Sequence, residues 1–339
     1  MDKVVIIAEA GVNHNGDIRL AKKLIDAAAS AKVDYVKFQT FKAEEIALKS
    51  AKKATYQIEN TKNDDSHYEM LKKLEINDQM HLDLMAYCTE KGISFLSSAF
   101  SVRSQQYLDS LALPIIKIPS GEITNFPLLK EISLSNKTVY LSTGMATIKE
   151  INAAMNVLCS NKLTRDKITL LHCNTEYPTP YKDVNLKAML KLQKTFDVAV
   201  GYSDHTLGIE VPIAAVALGA KVIEKHFTLD KTMQGPDHIA SLDPEELKQM
   251  VKLIRNTEFA VSGNGEKTPS KSEIKNILIA RKSICIVKDI TTGTIITNNH
   301  LGSLRPGNGI SPMEWETIIG KKVNKNLSKG HQLSREDFE

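Results

Sequence analysis

The chain has 339 residues, which is too long for one average domain and suits a large domain followed by a small module. Its 44 basic and 40 acidic residues leave a net charge of +4, which gives no reason to expect nucleic acid as a partner. The lack of a long apolar segment, and four cysteines without C-x-x-C spacing, predict a reduced, cytoplasmic protein that does not enter a membrane.

Eight short apolar runs recur along the chain, and each of them ends in a cluster of polar residues. The runs begin at Val4, Tyr35, Ile93, Ile115, Val139, Ile168, Val198 and Val222. Runs so rich in Val, Ile and Leu are typical of parallel strands buried on both faces, and a helical pattern follows nearly every one. The sequence therefore predicts an α/β fold, a TIM (β/α)8 barrel. In such barrels the polar residues at the C-terminal ends of the strands form one shared site.

Some of the connections between these runs carry clear signals. Asp17 is a candidate helix N-cap, and Thr147 with Glu150 forms a capping-box pattern ahead of another helix. The connection at residues 43–74 is longer and more polar than the others, and it contains Tyr56. Long loops after barrel strands usually shape or cover a substrate pocket, and a surface excursion without a function is the alternative.

The composition changes near Ser262, where small, polar and turn-forming residues begin. We predict a catalytic barrel domain at residues 1–262, a linker at 263–280 and a small domain at 281–339. The small domain shows short strand patterns separated by turns and is near the lower size limit for independent folding. It is therefore expected to pack on something larger.

Two histidines, His205 and His226, close the seventh and eighth predicted strands. Neighbouring strands lie about 4.8 Å apart, so two imidazoles at matched heights can reach one ion through bonds of about 2.1 Å. Two neutral imidazoles suit Mn²⁺, Fe²⁺, Co²⁺ or Zn²⁺ better than Mg²⁺. Either histidine alone could simply form hydrogen bonds at the top of the barrel, but two on adjacent strand ends favour a metal.

Two lysines, Lys37 and Lys117, lie within the apolar second and fourth strands. Lysine is almost never fully buried without a partner, so each should face an anionic ligand or a carboxylate, such as Glu9, Glu122 or Glu224. Binding of phosphate and carboxylate groups is the first interpretation, and internal ion pairs across the barrel are the second. A third interpretation, a lysine that forms a Schiff base as in barrel aldolases, does not require the histidine pair.

The segment Ser142-Thr143-Gly144 supplies hydroxyl groups and accessible backbone donors immediately before a predicted helix. This combination is typical of an anion site. Two lysines and two histidines at the same end of the barrel fit metal-assisted activation of a carbonyl group better than a Schiff base.

Nine strings of residues, spread over the whole chain, match those of one known family. They are Ala8–Gly16, Val36–Phe41, Lys117–Glu122, Leu141–Met145, His172–Pro180, Gly201–Thr206, Glu224–Thr228, Gly235–His238 and Arg305–Gly309. With these strings the chain resembles the bacterial sialic acid synthases, which condense phosphoenolpyruvate with an N-acetylmannosamine-type sugar. The tail resembles the antifreeze-like (SAF, β-clip) domain of the same family.

The resemblance implies a role for each matching position. His205 and His226 would hold a divalent metal, with Mn²⁺ as the first expectation and Mg²⁺ or Co²⁺ as alternatives. Glu122 would be the acid–base residue, and Glu9 and Lys37 are also assigned to catalysis. Phosphoenolpyruvate would be bound by Lys37, Ser98, Lys117, Ser120, Ser142, Asn174 and Ser203.

The resemblance also implies how the sugar and a second subunit take part. Gln39, Tyr177 and Asp237 would contact the open-chain sugar. In this family the SAF domain of one subunit covers the barrel of its partner, so Arg305 would reach the acyl-amino group of the sugar in the other subunit. The expected assembly is a homodimer with swapped SAF domains.

Two regions depart from the family pattern. Some members have histidine where this chain has Phe38 and Phe41, so contacts from those histidines do not transfer. The third strand reads Ser97-Ser98-Ala99-Phe100 where Ser-Thr-Pro-Phe is common. Ser98 keeps a hydroxyl group, but Ala99 lacks the fixed backbone angle of proline.

The expected reaction forms N-acetylneuraminate by an aldol-type addition. Phosphoenolpyruvate condenses with N-acetylmannosamine and water, and phosphate leaves by C–O cleavage; the string Asn174–Pro180 favours this acceptor. The alternative is an N,N'-diacetyllegionaminate synthase, which uses 2,4-diacetamido-2,4,6-trideoxymannose in the same chemistry. A more distant alternative, suggested by the tail alone, is a non-catalytic carbohydrate-binding protein, which phosphate release during turnover would exclude.

Overall fold

A computed structural model describes residues 3–61 and 64–339. The chain divides into two compact units, Met1–Gly263 and Asn264–Glu339. The first unit contains a closed barrel of eight parallel strands in sequential order. The strands are β1 (Val5–Gly11), β2 (Tyr35–Thr40), β3 (Ser94–Ala99), β4 (Ile115–Ile118), β5 (Thr138–Ser142), β6 (Ile168–Cys173), β7 (Ala199–Asp204) and β8 (Val222–His226). The prediction of a TIM barrel is confirmed.

Helices connect the strands of the barrel. Those of the first unit are α1 (Ile18–Ala31), α2 (Ala43–Ile46), α3 (Thr55–Thr61), α4 (His67–Lys73), α5 (Asp78–Lys91), α6 (Val102–Ser110), α7 (Phe126–Ile132), α8 (Ile148–Leu158), α9 (Lys187–Phe196), α10 (Glu210–Ala217) and α11 (Pro244–Ala260). The side chain of Asp17 accepts a hydrogen bond from the backbone N–H of Arg19, and Thr147 with Glu150 forms the predicted capping box. None of the helices in the described ranges is long and apolar enough to cross a membrane.

The strands β7 and β8 are joined by an ion pair on the outer side of the barrel. The Nζ of Lys225 lies 2.6 Å from Oδ2 of Asp204, and both side chains are fully buried. Asp204 also accepts hydrogen bonds from the backbone and the hydroxyl group of Thr206. A shift in the register of the two strands would separate the partners and leave buried charges uncompensated. The ion pair therefore favours the observed register, in which Asp204 lies opposite Lys225.

The second unit has its own apolar core. It contains α12 (Lys271–Ala280), α13 (Trp315–Ile318) and an antiparallel pair of strands, β9 (Ser283–Ile286) and β10 (Leu301–Leu304). The helix α12 falls within the range predicted to be a linker; Ser270 and Glu273 form its capping box. This segment is therefore a folded element and not a linker. The small and polar residues that favour a linker lie before the helix, whose second half is apolar.

Asp337 is a buried carboxyl group near the end of the second unit. Its carboxylate oxygens lie 2.6 Å from Nζ of Lys325 and 2.8 Å from Nε2 of His331. It also accepts a hydrogen bond from the backbone N–H of Ser334. Burial alone would raise its pKa, but the hydrogen bonds from Lys325, Ser334 and His331 lower the pKa to about 2.

Asp337→Asn should therefore destabilise the second unit in a pH-dependent way. A carboxyl group with a lower pKa in the folded than in the unfolded chain stabilises the fold above the unfolded pKa, about 3.9, and loses this contribution as pH falls through the folded pKa. At pH 7 we expect a free energy of unfolding lower by about 2 kcal/mol, with the difference shrinking from about pH 4 to about pH 2.

The measurement is urea unfolding followed by fluorescence of Trp315, the single tryptophan of the chain, which packs against the core of this unit. The neighbouring exposed residue provides the control, because Glu336→Gln should leave the unfolding curve unchanged. A difference between wild type and Asp337→Asn that stays constant down to pH 2 would contradict the argument.

Candidate active site

A cavity of about 320 Å³ opens at the C-terminal ends of the barrel strands. Most of the site residues predicted from the sequence line it. They are Glu9, Lys37, Gln39, Ser98, Lys117, Ser120, Glu122, Ser142, Tyr177, Ser203, His205, His226 and Asp237. Residues predicted separately, strand by strand, are therefore brought together in one place.

The alternation of side chains along each strand explains why these residues meet. Every second side chain of a strand faces the same side, so an apolar layer inside the barrel is followed by a layer that faces the cavity. The apolar layer contains Ile7, Leu96, Ile115, Tyr140, Leu171 and Val222. The second layer takes one side chain from each strand and contains Glu9, Lys37, Ser98, Lys117, Ser142, Cys173, Ser203 and Glu224.

Lys37 and Lys117 are buried in this second layer, and both contact carboxylates. The Nζ of Lys37 lies 2.8 Å from Oε2 of Glu9 and 3.7 Å from Oε2 of Glu224. The Nζ of Lys117 lies 3.5 Å from Oε1 of Glu224 and donates to Oγ of Ser142 at 2.8 Å. The internal ion pairs of the second interpretation are thus present. They fix both ammonium groups at the floor of the cavity, where an anionic ligand can approach them.

Burial and neighbouring charges set the charge states in this network. Burial raises the pKa of Glu9, because desolvation outweighs the effect of the Lys37 ammonium group. Burial also opposes the charge of Lys37, but the carboxylates of Glu224 and Glu9 raise its pKa. For Lys117, burial together with the nearby charge of Lys37 lowers the pKa despite Glu224. A bound anion would therefore favour the charged form of Lys117 in particular.

His205 and His226 lie one layer higher, with ring centroids 5.3 Å apart. Nδ1 of His205 contacts the backbone carbonyl of Asn174; a carbonyl only accepts, so Nδ1 carries the proton and Nε2 keeps its lone pair. Nδ1 of His226 is buried, has no hydrogen-bond partner among the described residues, and lies 3.8 Å from Oδ2 of Asp237. Burial lowers the pKa of His205 to about 4 and that of His226 well below its usual value.

Two neutral imidazoles that face one cavity form a donor set suited to a divalent transition metal. The unpartnered Nδ1 of His226 is a buried polar atom that such an ion would satisfy. Within residues 3–61 and 64–339, no group of three or more His, Cys, Asp or Glu side chains has metal-binding spacing. A metal held by the histidine pair would therefore leave most of its coordination positions to water or substrate.

The connection at residues 43–74 lies over the cavity. Tyr56, in α3 of this connection, stacks on Tyr177 with ring centroids 5.1 Å apart. Tyr177 follows β6, which is opposite β2 in a barrel of eight strands. Beyond β8, the carbonyl of Pro236 accepts a hydrogen bond from Nδ2 of Asn60 at 2.7 Å. The described residues of this connection, among them Ile46, Tyr56 and Leu71, therefore contribute to the lining of the cavity, as expected of a loop that shapes a pocket.

Two further carboxyl groups at the cavity have raised pKa values. Partial burial raises the pKa of Glu122, whose Oε2 accepts a hydrogen bond from Asn125 at 2.6 Å. Burial and the nearby carboxyl group of Glu9 raise the pKa of Asp237 to about 7. Carboxyl groups that exchange protons closer to neutral pH are typical of sites for acid–base chemistry.

Two predicted residues lie elsewhere. Nδ2 of Asn174 donates to the carbonyl of Asp183 at 2.8 Å, and this side chain does not line the cavity. Asn174 instead orients His205 through its backbone carbonyl. Arg305 lies in the second unit, where its Nε donates to the carbonyl of Ala280. The ligand contacts expected of both residues stay predictions.

Other cavity residues were absent from the predicted set. The sequence indicates Glu224 only as a possible partner for lysine, and it gives no direct signal for Cys173. Both belong to the second layer, so counting two residues beyond the apolar layer would have found them. Tyr56 had no such signal, because its contact with Tyr177 depends on the path of a long connection.

Comparison with known families identifies the barrel and its tail. The model of the NeuB family matches residues 24–267, and that of the SAF domain matches residues 281–339. The chain belongs to the NeuB family. The resemblance to sialic acid synthases that carry a SAF domain is thus confirmed.

Relatives of this NeuB-family chain match it along almost its full length. The N,N'-diacetyllegionaminic acid synthase of Campylobacter jejuni is 54% identical over 99% of this chain and 100% of that protein. The enzyme of the same name from Legionella pneumophila is 47% identical over 98% of this chain and 94% of that protein. Among solved structures, N-acetylneuraminic acid synthetase from Leptospira borgpetersenii, in complex with citrate, matches this chain with a TM-score of 0.70. The match covers 81% of this chain and 90% of that one, and the two sequences are 35% identical.

Lys117→Met should weaken anion binding in this NeuB-family barrel. A hydrogen bond to a charged group contributes about 1.5–3 kcal/mol, so the affinity for inorganic phosphate should fall roughly 10- to 100-fold. Calorimetric titration of the metal-free protein measures it. Lys248→Met, which removes a half-exposed lysine from α11, is the control and should change nothing. Equal phosphate affinity in Lys117→Met and wild type would contradict a role of Lys117 in anion binding.

Proposed function

We propose that this chain is an N,N'-diacetyllegionaminic acid synthase. It would condense phosphoenolpyruvate with 2,4-diacetamido-2,4,6-trideoxymannose and water, releasing phosphate. The observation that carries the proposal is the identity to two enzymes of that name, about half of all residues over nearly the whole chain. The expected N-acetylneuraminate synthase rested on the string Asn174–Pro180 alone and has less support than this alternative.

The floor of the cavity suits phosphoenolpyruvate. Its phosphate and carboxylate groups would approach Lys37 and Lys117, with the hydroxyl groups of the neighbouring serines as further donors. Gly144 belongs to this region, since its backbone N–H donates to Oγ of Ser120 at 2.9 Å. A Cβ atom at Gly144 would lie 2.5 Å from Oγ1 of Thr175, so only glycine lets the backbone come this close.

A divalent metal is part of the proposal, with Mn²⁺ as the first candidate and Mg²⁺ or Co²⁺ as alternatives. His205 and His226 would hold it. When bound, it would supply Lewis-acid polarisation of the aldehyde group of the open-chain sugar. The backbone carbonyl of Asn174 keeps Nε2 of His205 unprotonated, which is the form that binds a metal.

The chain's own groups would handle the protons. C3 of phosphoenolpyruvate adds to the sugar aldehyde, water adds at C2, and phosphate leaves by C–O cleavage. Glu122, with its raised pKa and its Oε2 held by Asn125, would take the proton of that water and return it to the oxygen of the former aldehyde group. The second proton of the water would leave with phosphate as the C2 keto group forms. Glu9 would hold Lys37 and, through Oε1, the amide of Gln39, which donates to it at 3.1 Å. Catalysis would then depend on groups that the ion pairs and hydrogen bonds position before substrate binds.

A homodimer with swapped SAF domains completes the proposal. The helix α12 has no buried residue. Ile274, Leu278 and Ile279 leave 57%, 58% and 69% of their surface exposed, respectively. An exposed apolar face of this kind usually marks a protein interface, and a second copy of the chain is the partner the family resemblance implies. Arg305 would then contribute to the site of the other subunit.

Phosphate release from phosphoenolpyruvate with Mn²⁺, measured in parallel with two acceptor sugars, tests the proposed function. We expect kcat/KM for 2,4-diacetamido-2,4,6-trideoxymannose to exceed that for N-acetylmannosamine at least about tenfold, the effect of one well-placed apolar contact. The opposite order would make the protein an N-acetylneuraminate synthase. Absence of release with either sugar would contradict a synthase.

Removal of the metal should abolish turnover and leave the fold intact. We expect EDTA to stop phosphate release and Mn²⁺ to restore it. His205→Ala should lower turnover more than about a hundredfold, because one imidazole cannot retain the ion. Mn²⁺ binding, followed by electron paramagnetic resonance, should be lost in His205→Ala and kept in the control His300→Ala, which alters the second unit. Full Mn²⁺ binding by His205→Ala would contradict the assignment.

A further inference from the structure

One side of the active-site cavity is apolar. Six side chains that line this side belong to a single packed cluster, called here the apolar wall. Its members are Val12, Ile46, Met70, Leu71, Leu74 and Phe100. They come from the loops after β1 and β3 and from the connection at residues 43–74, which follows β2. Several of the groups suited to phosphate, among them Lys117, Ser142 and Ser203, come instead from β4, β5 and β7. The cavity therefore has a polar and an apolar side.

An apolar wall is a poor surface for a hydroxyl-rich sugar. A hydroxyl group that loses water without gaining a hydrogen-bond partner weakens binding. A 2,4-diacetamido-2,4,6-trideoxy sugar has a methyl group in place of the C6 hydroxymethyl group of N-acetylmannosamine, and an acetamido group in place of its C4 hydroxyl group. It thus lacks two hydroxyl groups and presents an apolar methyl group at each of these two positions. Each methyl group buried on an apolar surface raises affinity about fourfold. The wall therefore matches the two features that distinguish this sugar.

The position of the wall relative to the histidine pair supports this match. The ring of Tyr177 packs on that of His205, with centroids 4.1 Å apart. Tyr56 in turn stacks on Tyr177. Tyr56 belongs to the same connection as Ile46 and Leu71 of the wall. A sugar with its aldehyde group at the histidines would thus extend past these aromatic rings, and its far end would lie beneath this connection.

We propose that the apolar wall is the subsite for the C6 methyl and C4 acetamido groups of the acceptor sugar, and that it sets the preference for a deoxy, diacetamido sugar. The inference rests on the proposed function and goes further by naming the residues that select the substrate. Leu71 and Ile46 are the members to test, because both are only partly buried. Met70 and Leu74 are buried in the cluster and hold the connection together.

The experiment compares three acceptors: N-acetylmannosamine, 2-acetamido-2,6-dideoxymannose and 2,4-diacetamido-2,4,6-trideoxymannose. In wild type we expect kcat/KM to rise in that order. Leu71→Asn should lower kcat/KM for the diacetamido sugar about tenfold, mainly through KM, and that for N-acetylmannosamine less than about twofold. Leu48→Asn is the matched control, since Leu48 belongs to the same connection but is 78% exposed and outside the cavity lining.

Two outcomes separate the inference from the proposed function. A wild-type preference for N-acetylmannosamine overturns the proposed function, and the subsite with it. A wild-type preference for the diacetamido sugar that Leu71→Asn leaves unchanged overturns the subsite alone. If Leu71→Asn lowers the melting temperature, Ile46→Thr decides, because it keeps the β-branched shape and carries the same expectation. A loss equal for all three sugars in a stably folded Ile46→Thr also overturns the subsite.

Discussion

The burial of two lysines inside the barrel is the constraint on which the rest of the site depends. An ammonium group there requires negative partners, and Glu9 and Glu224 supply them from β1 and β8. Such pairs add little net stability to a protein, but they hold Lys37 and Lys117 in fixed places before any ligand arrives. A site prepared in this way needs little rearrangement when charge develops during a reaction. The strands bring these groups together only because each lies two residues beyond the apolar layer.

The long connection after β2 adds apolar surface to a site whose floor is polar. A barrel strand end offers only one or two side chains to the cavity, whereas this connection adds a whole surface above it. Tyr56 reaches across the mouth to Tyr177, and the same segment supplies four of the six residues of the apolar wall. The polar floor is thus built by the barrel itself, and the part that would distinguish one sugar from another is built by a loop, where sequence changes disturb the barrel least.

The sequence predicts the barrel well and the covering of its site poorly. The run at Ile115–Ile118 coincides with β4, whereas β7 continues to Asp204, past the apolar residues, because ladder hydrogen bonds do not depend on side-chain polarity. Most predicted site residues line the cavity because period-2 alternation is a local rule. Asn174 turns away because its loop offers the carbonyl of Asp183 as a partner. The stacking of Tyr56 on Tyr177 depends on packing between distant segments, which no local pattern encodes. The helix α12 has no buried residue and begins with the capping box of Ser270 and Glu273, so its signal is local and lies within the range predicted to be a linker.

The ion pair of Lys225 with Asp204 has a consequence for the chemistry on the other face of the same strands. Asp204 directly precedes His205, and Lys225 directly precedes His226, so each charged residue shares a peptide link with a histidine. Adjacent residues of a strand point to opposite faces, and the pair therefore fixes the relative height of the two imidazoles from outside the barrel. Substitutions of substrate-contacting groups in the loops would thus leave the alignment of the two histidines in place, because the ion pair behind the strands sets it.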